Sequence, residues 1–304
     1  MIWILCAFLS AALLGFYDAV KKHALRGNAV VPVLWINTAL CALFFLPAVV
    51  LSGLGIISPG QAVYVSPWEW QFQRYVLLKA AIVLSSWICG YYAMKHLPLT
   101  IVGPINASRP VMVILGALLI FGEKLNLWQW AGVSLSVISF FLLSRAGKRE
   151  GIKFGSNRWI YLLVAAALLG AGSGLYDKFI MSPVASGGLG LDKLAVQSWC
   201  NIYQCVMMGV PALAMRSQWR GRFHRRRSIV LISVFLTLAD LAYFYALSQE
   251  EAMISVVSMV RRGSVVVSFA CGALFFGEKN LRTKAVDLVL VVLGMVCLGI
   301  GTLR

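Results

Sequence analysis

Three arginines lie in apolar stretches of this sequence, where a charged side chain is unfavourable unless it has a partner or a function. Arg109 follows Pro98 by eleven residues, and Arg262 follows Glu251 by eleven. At about 1.5 Å per helical residue, each lies roughly 16 Å from its helix end, near the centre of a bilayer core about 30 Å thick. An arginine at that depth costs about 3 kcal/mol. Arg261 adds a third guanidinium, which faces another direction because adjacent helical positions differ by about 100°.

Guanidinium groups predict the chemistry of a ligand. They match carboxylate and phosphate oxygens in bidentate geometry, and a water-poor cavity screens that attraction less than bulk water does. We therefore expect at least two of the three arginines to face a central aqueous cavity that binds a small organic anion. Such an anion is a phosphorylated metabolite, a sugar phosphate or a carboxylate. The alternative is that internal acids hold the arginines, with Asp240 as the partner of one of them.

Aromatic and amide side chains are the further candidates for substrate contact. They are Trp87, Tyr92, Tyr243, Tyr245, Asn37 and Asn201. Aromatic walls with a few polar groups are typical of small-molecule cavities, although ordinary helix packing uses the same rings. An amide in hydrocarbon must be paired. The two asparagines therefore either contact the substrate or form hydrogen bonds between helices.

Four charged residues are candidates for gating or coupling: Asp18, Asp177, Lys178 and Asp240. Asp18 precedes Lys21 by three residues, a spacing that allows an ion pair on a helix. Asp177 adjoins Lys178. We expect Asp18 and Asp177 near helix ends at opposite membrane faces, as gates or as pairs that fasten those ends. Proton coupling is open for either of them or for Asp240.

Apolar helices must position these residues. The 304 residues are 60% hydrophobic and 12% charged, with a mean hydropathy of +0.83. This exceeds what a soluble core needs, so the bilayer must be part of the solvent. Ten apolar runs predict an all-α membrane protein with helices near residues 2–20, 30–51, 75–96, 99–121, 127–144, 159–180, 194–215, 228–248, 252–276 and 285–303.

Basic residues give the expected orientation. The formal charge is +16, and most basic residues fall in the odd-numbered connections, around residues 21–26, 145–158, 216–227 and 279–284. The positive-inside rule then makes these connections cytoplasmic and puts both termini outside. We expect an integral protein of a bacterial inner (plasma) membrane. The same rule explains the charge without nucleic acid as a partner.

Cysteine and histidine usage argues against an enzyme or a metal site. The seven cysteines lie in apolar runs without a CxxC pair, and the three histidines lie near helix ends or in loops. Nucleophile–base pairs and P-loops are absent from the sequence. We therefore expect no catalytic residue, no metal and no cofactor.

Two parts of the chain repeat each other. Residues 15–18 (Gly-Phe-Tyr-Asp) return as 174–177 (Gly-Leu-Tyr-Asp), and residues 91–94 align with 244–247 in a register that places Arg109 on Arg262. This predicts two five-helix copies, 1–145 and 159–304, joined by a basic cytoplasmic linker, 146–158. An odd number of helices per copy makes the copies inverted, with a site between them at mid-membrane depth.

The order of these motifs resembles the EamA family of the drug/metabolite transporter superfamily. The resemblance includes the segment 92–98 (Tyr-Ala-Met-Lys-His-Leu-Pro), Pro110, and a Gly-Glu-Lys motif in each copy, at 122–124 and 277–279. It implies a secondary carrier that works by alternating access without ATP. The pair at 261–262 also resembles the Lys-Arg pair of plastid sugar-phosphate translocators, which holds phosphate there. The second copy departs at Gly263, which replaces Pro110.

Two other functions stay open. One is an exporter of amino acids or amphiphilic, drug-like compounds, with an aromatic cavity and arginines paired to Asp240 and its polar neighbours. The other is a flippase or receptor for anionic lipid headgroups, which needs a lateral opening between helices. The sequence leaves the substrate, the coupling ion, the direction of transport and a monomeric or homodimeric state undecided.

Overall fold

The chain is helical throughout the part that the structure describes. This computed structural model describes residues 2–61, 63–109, 111–112, 126–149, 155–181, 184, 187–219, 223–224, 227–247, 260–277 and 281–303. None of these residues forms a strand. The described ranges hold ten helices of nine or more residues, and the expected all-α class is confirmed.

The ten helices are numbered in chain order. They are α1 Ile2–Leu25, α2 Val30–Gly53, α3 Trp70–His96, α4 Leu99–Ala107, α5 Leu127–Arg149, α6 Arg158–Met181, α7 Lys193–Ala214, α8 Arg227–Leu247, α9 Ser264–Phe275 and α10 Leu281–Leu303. Five of them, α1, α2, α3, α6 and α10, are long and apolar enough to cross a membrane. The predicted helices 99–121 and 252–276 extend into residues 113–121 and 252–259, which lie outside the described residues.

Helix packing joins the first five helices to the last five. The broadest contacts pair α1 with α8, α3 with α6, α2 with α7 and α5 with α10, while α9 packs on α1 and α4. The broadest of these contacts are preserved when each helix is exchanged for its counterpart five places away. The α1–α8 contact then becomes α6–α3, and the α3–α7 contact becomes α8–α2.

A glycine of the repeated motif lets α1 and α9 approach closely. A Cβ atom on Gly15 would lie 2.4 Å from Cβ of Val267, well inside the ordinary contact distance of about 3.5–4 Å. Any side chain at Gly15 would therefore push α9 away. That helix directly follows the two arginines at 261–262, so the contact also fixes their position.

Two lysines that the sequence placed in connections lie inside the bundle instead. Lys284, in α10, is fully buried and donates a hydrogen bond to Thr100 Oγ1 at 2.8 Å. Lys21 is buried in α1, which continues to Leu25 rather than ending near residue 20. The assignment of both lysines to connections is therefore wrong. A charge marks a helix end only when it has no partner within the protein.

Candidate functional site

A cavity of about 470 Å³ lies between helices of both halves. Its walls come from α1, α3, α4 and α8, from Arg109, and from the segment 261–265 that leads into α9. Six charged side chains line it: Lys21, Arg109, Arg261, Arg262, Asp18 and Asp240. The three arginines singled out from the sequence therefore share one cavity.

Both matched arginines stand beside a break in helical structure. Ser108 forms a turn between α4 and Arg109, and Gly263 separates a helical turn at 260–262 from α9. After each break, an amide donates a hydrogen bond to the carbonyl oxygen three residues earlier. The donor–acceptor distance is 3.0 Å from Val111 N to Ser108 O and 2.9 Å from Val266 N to Gly263 O. Pro110 has no amide hydrogen to continue a helix. Irregular backbone at membrane depth is tolerated where it lines a cavity.

Arg261 and Asp240 form an ion pair in the cavity wall. The guanidinium donates a hydrogen bond to Asp240 Oδ1 and lies 4.3 Å from the ring centroid of Tyr243. The carboxylate balances the charge, and the ring restricts the guanidinium from one side. Asp240 is the internal acid that the sequence indicated as the partner of one of the arginines.

Asp18 and Lys21 form a second pair on the α1 side of the cavity. Their Nζ–Oδ1 distance is 2.8 Å, and Ser268 Oγ donates to the other carboxylate oxygen at 3.2 Å. The ammonium also lies 4.2 Å and 5.3 Å from the ring centroids of Tyr17 and Tyr91. The helix continues past Asp18, so this acid lies in the cavity wall rather than at a helix end.

Arg109 and Arg262 have no carboxylate partner among the described residues. Arg109 donates to Asn106 Oδ1 at 3.1 Å, while its buried Nε has no acceptor. Arg262 forms no ion pair with any residue that the structure describes, and the two guanidinium groups repel each other. Four cations and two carboxylates line the cavity, so its described walls carry an excess of two positive charges.

The predicted aromatic wall is only partly present. Trp87 and Tyr243 line the cavity, but Tyr91 does so in place of Tyr92, which packs against the main apolar core. Tyr245 is 52% exposed and lies outside the cavity. Neighbouring helical positions point about 100° apart, so only one of two adjacent tyrosines can face inward.

The two asparagines lie away from the cavity. Asn37 is fully buried in α2 and accepts a hydrogen bond from Ser233 Oγ of α8 at 3.0 Å. This contact joins two helices, the second of the two roles considered for it. Asn201 is buried in α7 and does not line the cavity either.

Asp177 has a partner that the sequence did not suggest. Its carboxylate lies 2.7 Å from Nζ of Lys79 in α3, and Lys79 is only 5% exposed. The side chain of Lys178, the partner suggested by adjacency, lies outside the described residues. A hydropathy average over 20 residues hides one lysine, but Lys79, which lies inside the run 75–96 far from Lys95 at its end, was a usable signal.

Three comparisons with known proteins bear on this site. A family described as the EamA-like transporter family matches residues 1–145. A search of curated proteins finds no match. One solved crystal structure is similar over 97% of this chain and 95% of its own, with a TM-score of 0.57 and 14% sequence identity. At that identity the likeness concerns the fold alone.

Proposed function

Because this chain belongs to the EamA-like transporter family, we propose that it is a secondary carrier that moves a small organic anion by alternating access. The favoured cargo is a phosphorylated metabolite, a sugar phosphate or a carboxylate. The family consists of transporters, and five helices are long and apolar enough to cross a bilayer. The proposal includes no catalytic step and no cofactor.

The excess of positive charge in the cavity carries this proposal. Lys21 and Arg261 are paired with carboxylates, which leaves Arg109 and Arg262 for a ligand. Two guanidinium groups away from bulk water repel each other unless an anion lies between them. A carboxylate or phosphate would accept hydrogen bonds from both, in the bidentate geometry that arginine favours.

The size and walls of the cavity support an organic anion over a bare ion. Its volume of about 470 Å³ falls within the range of about 300–1,000 Å³ typical of small-molecule sites. Trp87, Tyr91 and Tyr243 add aromatic surface. Such rings pack against the apolar face of a sugar or a hydrocarbon chain, while the arginines bind the anionic group.

The proposed mechanism uses two inverted copies, 1–145 and 159–304, joined by the linker 146–158. Five helices per copy turn the second copy upside down relative to the first. The helix pairings support this arrangement, because they keep their pattern when the halves are exchanged. Rocking of the halves about the arginines would open the cavity to each side of the membrane in turn.

The two acids at matched positions of the repeat, each of which forms an ion pair, are proposed gating or coupling groups. Asp18 pairs with Lys21 in the cavity wall, whereas Asp177 pairs with Lys79 outside it. Because the copies are proposed to be inverted, the two acids would act on opposite sides of the cavity. Asp240 is the third proposed coupling group, and Lys178 adjoins Asp177 in the chain.

We further propose that the odd-numbered connections are cytoplasmic and that both termini lie outside a bacterial inner membrane. Lys21 and Lys284 no longer count toward this assignment, since both are buried. The basic stretches 145–158 and 216–227 still support it. A reporter fused to the C-terminus that is active only outside the cytoplasm tests the orientation.

A second candidate function is the export of amino acids or amphiphilic, drug-like compounds. The cavity carries carboxylates as well as cations, and a zwitterion could use Asp18 for its ammonium and Arg262 for its carboxylate. The pairing of Arg261 with Asp240 and the aromatic wall also fit this function. It ranks second because a zwitterion carries no net charge and leaves the excess of two positive charges in the cavity unchanged.

Transport in proteoliposomes tests the proposal. Vesicles that contain the purified protein and internal phosphate should take up labelled phosphorylated or carboxylated metabolites. Arg262→Ala should lower this uptake by about 10- to 100-fold, since a hydrogen bond to a charged group contributes roughly 1.5–3 kcal/mol. The matched control is Arg282→Ala, which removes an exposed arginine of α10 and should leave uptake unchanged.

Two results would contradict the proposal. Uptake of every anion that is insensitive to Arg262→Ala would remove the arginine site. Uptake of neutral amino acids alone would favour the second candidate function.

A further inference from the structure

The guanidinium of Arg109 lies directly against the backbone of α6. A Cβ atom on Gly170 would stand 2.9 Å from Cζ and Nη1 of Arg109 and 3.1 Å from its Nε. Ordinary contacts between such atoms are about 3.5–4 Å. Gly170 lies in the middle of α6, and no residue with a side chain fits there while the guanidinium keeps its position.

The other contacts of Arg109 do not fix its guanidinium, so the position of this group depends on Gly170. Asn106 accepts one hydrogen bond from Nη2 at 3.1 Å, and the buried Nε has no acceptor. Among the described residues no carboxylate forms an ion pair with the guanidinium, and Asp18, which is paired with Lys21, attracts it only from beyond ion-pair distance. Packing against α6 therefore decides how far the guanidinium extends into the cavity that it lines.

We propose that Gly170 is a positioning residue for anion selectivity. Its missing side chain forms a recess on α6, and the Arg109 guanidinium occupies this recess. The recess holds the guanidinium back from Arg262 and so sets the length of anion that fits between the two arginines. This inference rests on the proposed transport of anions.

The recess belongs to one half of the protein only. The register that aligns Gly15 with Gly174 places Ala11 at the position that corresponds to Gly170. Ala11 is buried in α1 and carries a Cβ. The second-half arginine, Arg262, therefore has no equivalent recess, and we assign the control of substrate size to the Arg109 side.

A methyl group at position 170 should move the guanidinium into the cavity. Gly170→Ala forces a shift of roughly 0.6 Å or more, away from α6, to restore an ordinary contact distance. We expect the KM for glucose 6-phosphate to rise about tenfold, because small misplacements of a binding group have large effects. The KM for inorganic phosphate, a small probe, should rise by less than about threefold.

Gly172 provides a matched control on the same helix. It lies two residues after Gly170 in α6 and outside the cavity wall, and a Cβ atom there would meet no neighbouring atom of the described residues within 4 Å. Gly172→Ala adds the same methyl group to α6 without contact to an arginine. It should leave the ratio of the two KM values within about twofold of wild type, as expected of a change that strains no contact.

A double-mutant cycle separates positioning from a structural effect. In an Arg109→Lys background the flexible ammonium can move away from α6, so Gly170→Ala should add little to the KM ratio. This ratio, for glucose 6-phosphate over inorganic phosphate, does not depend on how much carrier folds or inserts. It therefore stays informative if Gly170→Ala lowers the yield.

The outcomes distinguish the two proposals. A raised KM ratio in Gly170→Ala, absent from Gly172→Ala and from the Arg109→Lys background, supports the recess. Equal ratios in Gly170→Ala and Gly172→Ala, or an effect of Gly170→Ala that persists in the Arg109→Lys background, overturn the recess alone. A wild-type protein that transports neither probe nor any other anion overturns the recess together with the proposed function.

Discussion

Arg109 and Arg262 occupy matched positions in the two halves, but their surroundings differ. Arg109 donates to Asn106 and lies against Gly170. Arg262 follows a third arginine, Arg261, whose charge Asp240 balances. The second half thus adds a cation together with its counterion, which leaves the net charge unchanged. The excess charge of the cavity comes from the matched pair, while the added ion pair shapes its wall.

The matched acids of the repeat differ in the same way. Asp18 lies in the cavity wall, within an ion pair and near two tyrosine rings, whereas Asp177 pairs with Lys79 outside the cavity. A repeated motif therefore conserves the type of side chain without conserving its environment. The proposed inversion of one copy would place equivalent residues at different distances from a shared cavity.

The largest expected effect comes from breaking the added ion pair. Arg261→Ala leaves the Asp240 carboxylate uncompensated in the cavity wall, where it repels an anion. A charge some 6–8 Å away at an effective dielectric constant of about 20 is worth roughly 2–3 kcal/mol, so uptake of glucose 6-phosphate should fall about 100-fold. Proteoliposome uptake measures this.

The charge-neutral double variant is the control. Arg261→Ala with Asp240→Ala preserves the excess of two positive charges and should recover uptake to within about tenfold of wild type. If the double variant transports no better than Arg261→Ala alone, the pair is not a neutral wall, and either Arg261 binds substrate directly or Asp240 is required for coupling.

An intermediate effect comes from the lysines that pair with the two matched acids, Asp18 and Asp177. Lys79→Met leaves the Asp177 carboxylate, which is 33% exposed, without its counterion. We expect the free energy of unfolding to fall by about 1–3 kcal/mol, a discounted value for a partly buried charge. Thermal melting in detergent should detect this, with the KM for anions changed less than about twofold.

Lys21→Met is the matched comparison. Lys21 lines the cavity, so its removal changes the charge that a ligand meets and should raise the KM for anions as well as lower the melting temperature. A KM effect of Lys79→Met as large as that of Lys21→Met would contradict the distinction between the two pairs.

Much of the fold and part of the site were predictable from the sequence. Apolar runs predicted the helices, because spanning segments need about 20 apolar residues, and the register of the repeat matched Arg109 with Arg262, which line one cavity. The structure places Tyr91 in the wall of this cavity, rather than the expected Tyr92. A register gives depth along a helix, but the rotation of the helix is set by packing.

Charged residues show where sequence reasoning stops. Lys284 resembled a connection residue because a lysine without a visible partner belongs in water, and its partner Thr100 lies on another helix. Lys21 pairs with Asp18 on its own helix, and it resembled a connection residue because that helix continues beyond the end predicted from the apolar run. Gly170 has no sequence signal at all. Its role depends on the path of an arginine side chain from another helix.

The smallest expected effect separates tyrosines inside and outside the cavity. Tyr91→Phe removes a hydroxyl from a residue of the cavity wall and should raise the KM for glucose 6-phosphate about threefold, the value of one neutral hydrogen bond. Tyr245→Phe changes an exposed ring outside the cavity and should change the KM by less than about 1.5-fold. A larger effect at Tyr245 would move the substrate path to the lipid-facing side of α8.

The preference for an anion over its neutral parent tests most directly whether Arg109 and Arg262 form the substrate site. Uptake of glucose 6-phosphate and of glucose should be measured in the same vesicles, for wild type and for Arg109→Gln with Arg262→Gln. We predict that wild type prefers the phosphate by about 100-fold or more, the value of two charge-assisted contacts, and that the double variant loses this preference. Equal uptake of both sugars by wild type, or an undiminished preference in the double variant, would contradict the assignment of these arginines to an anion site.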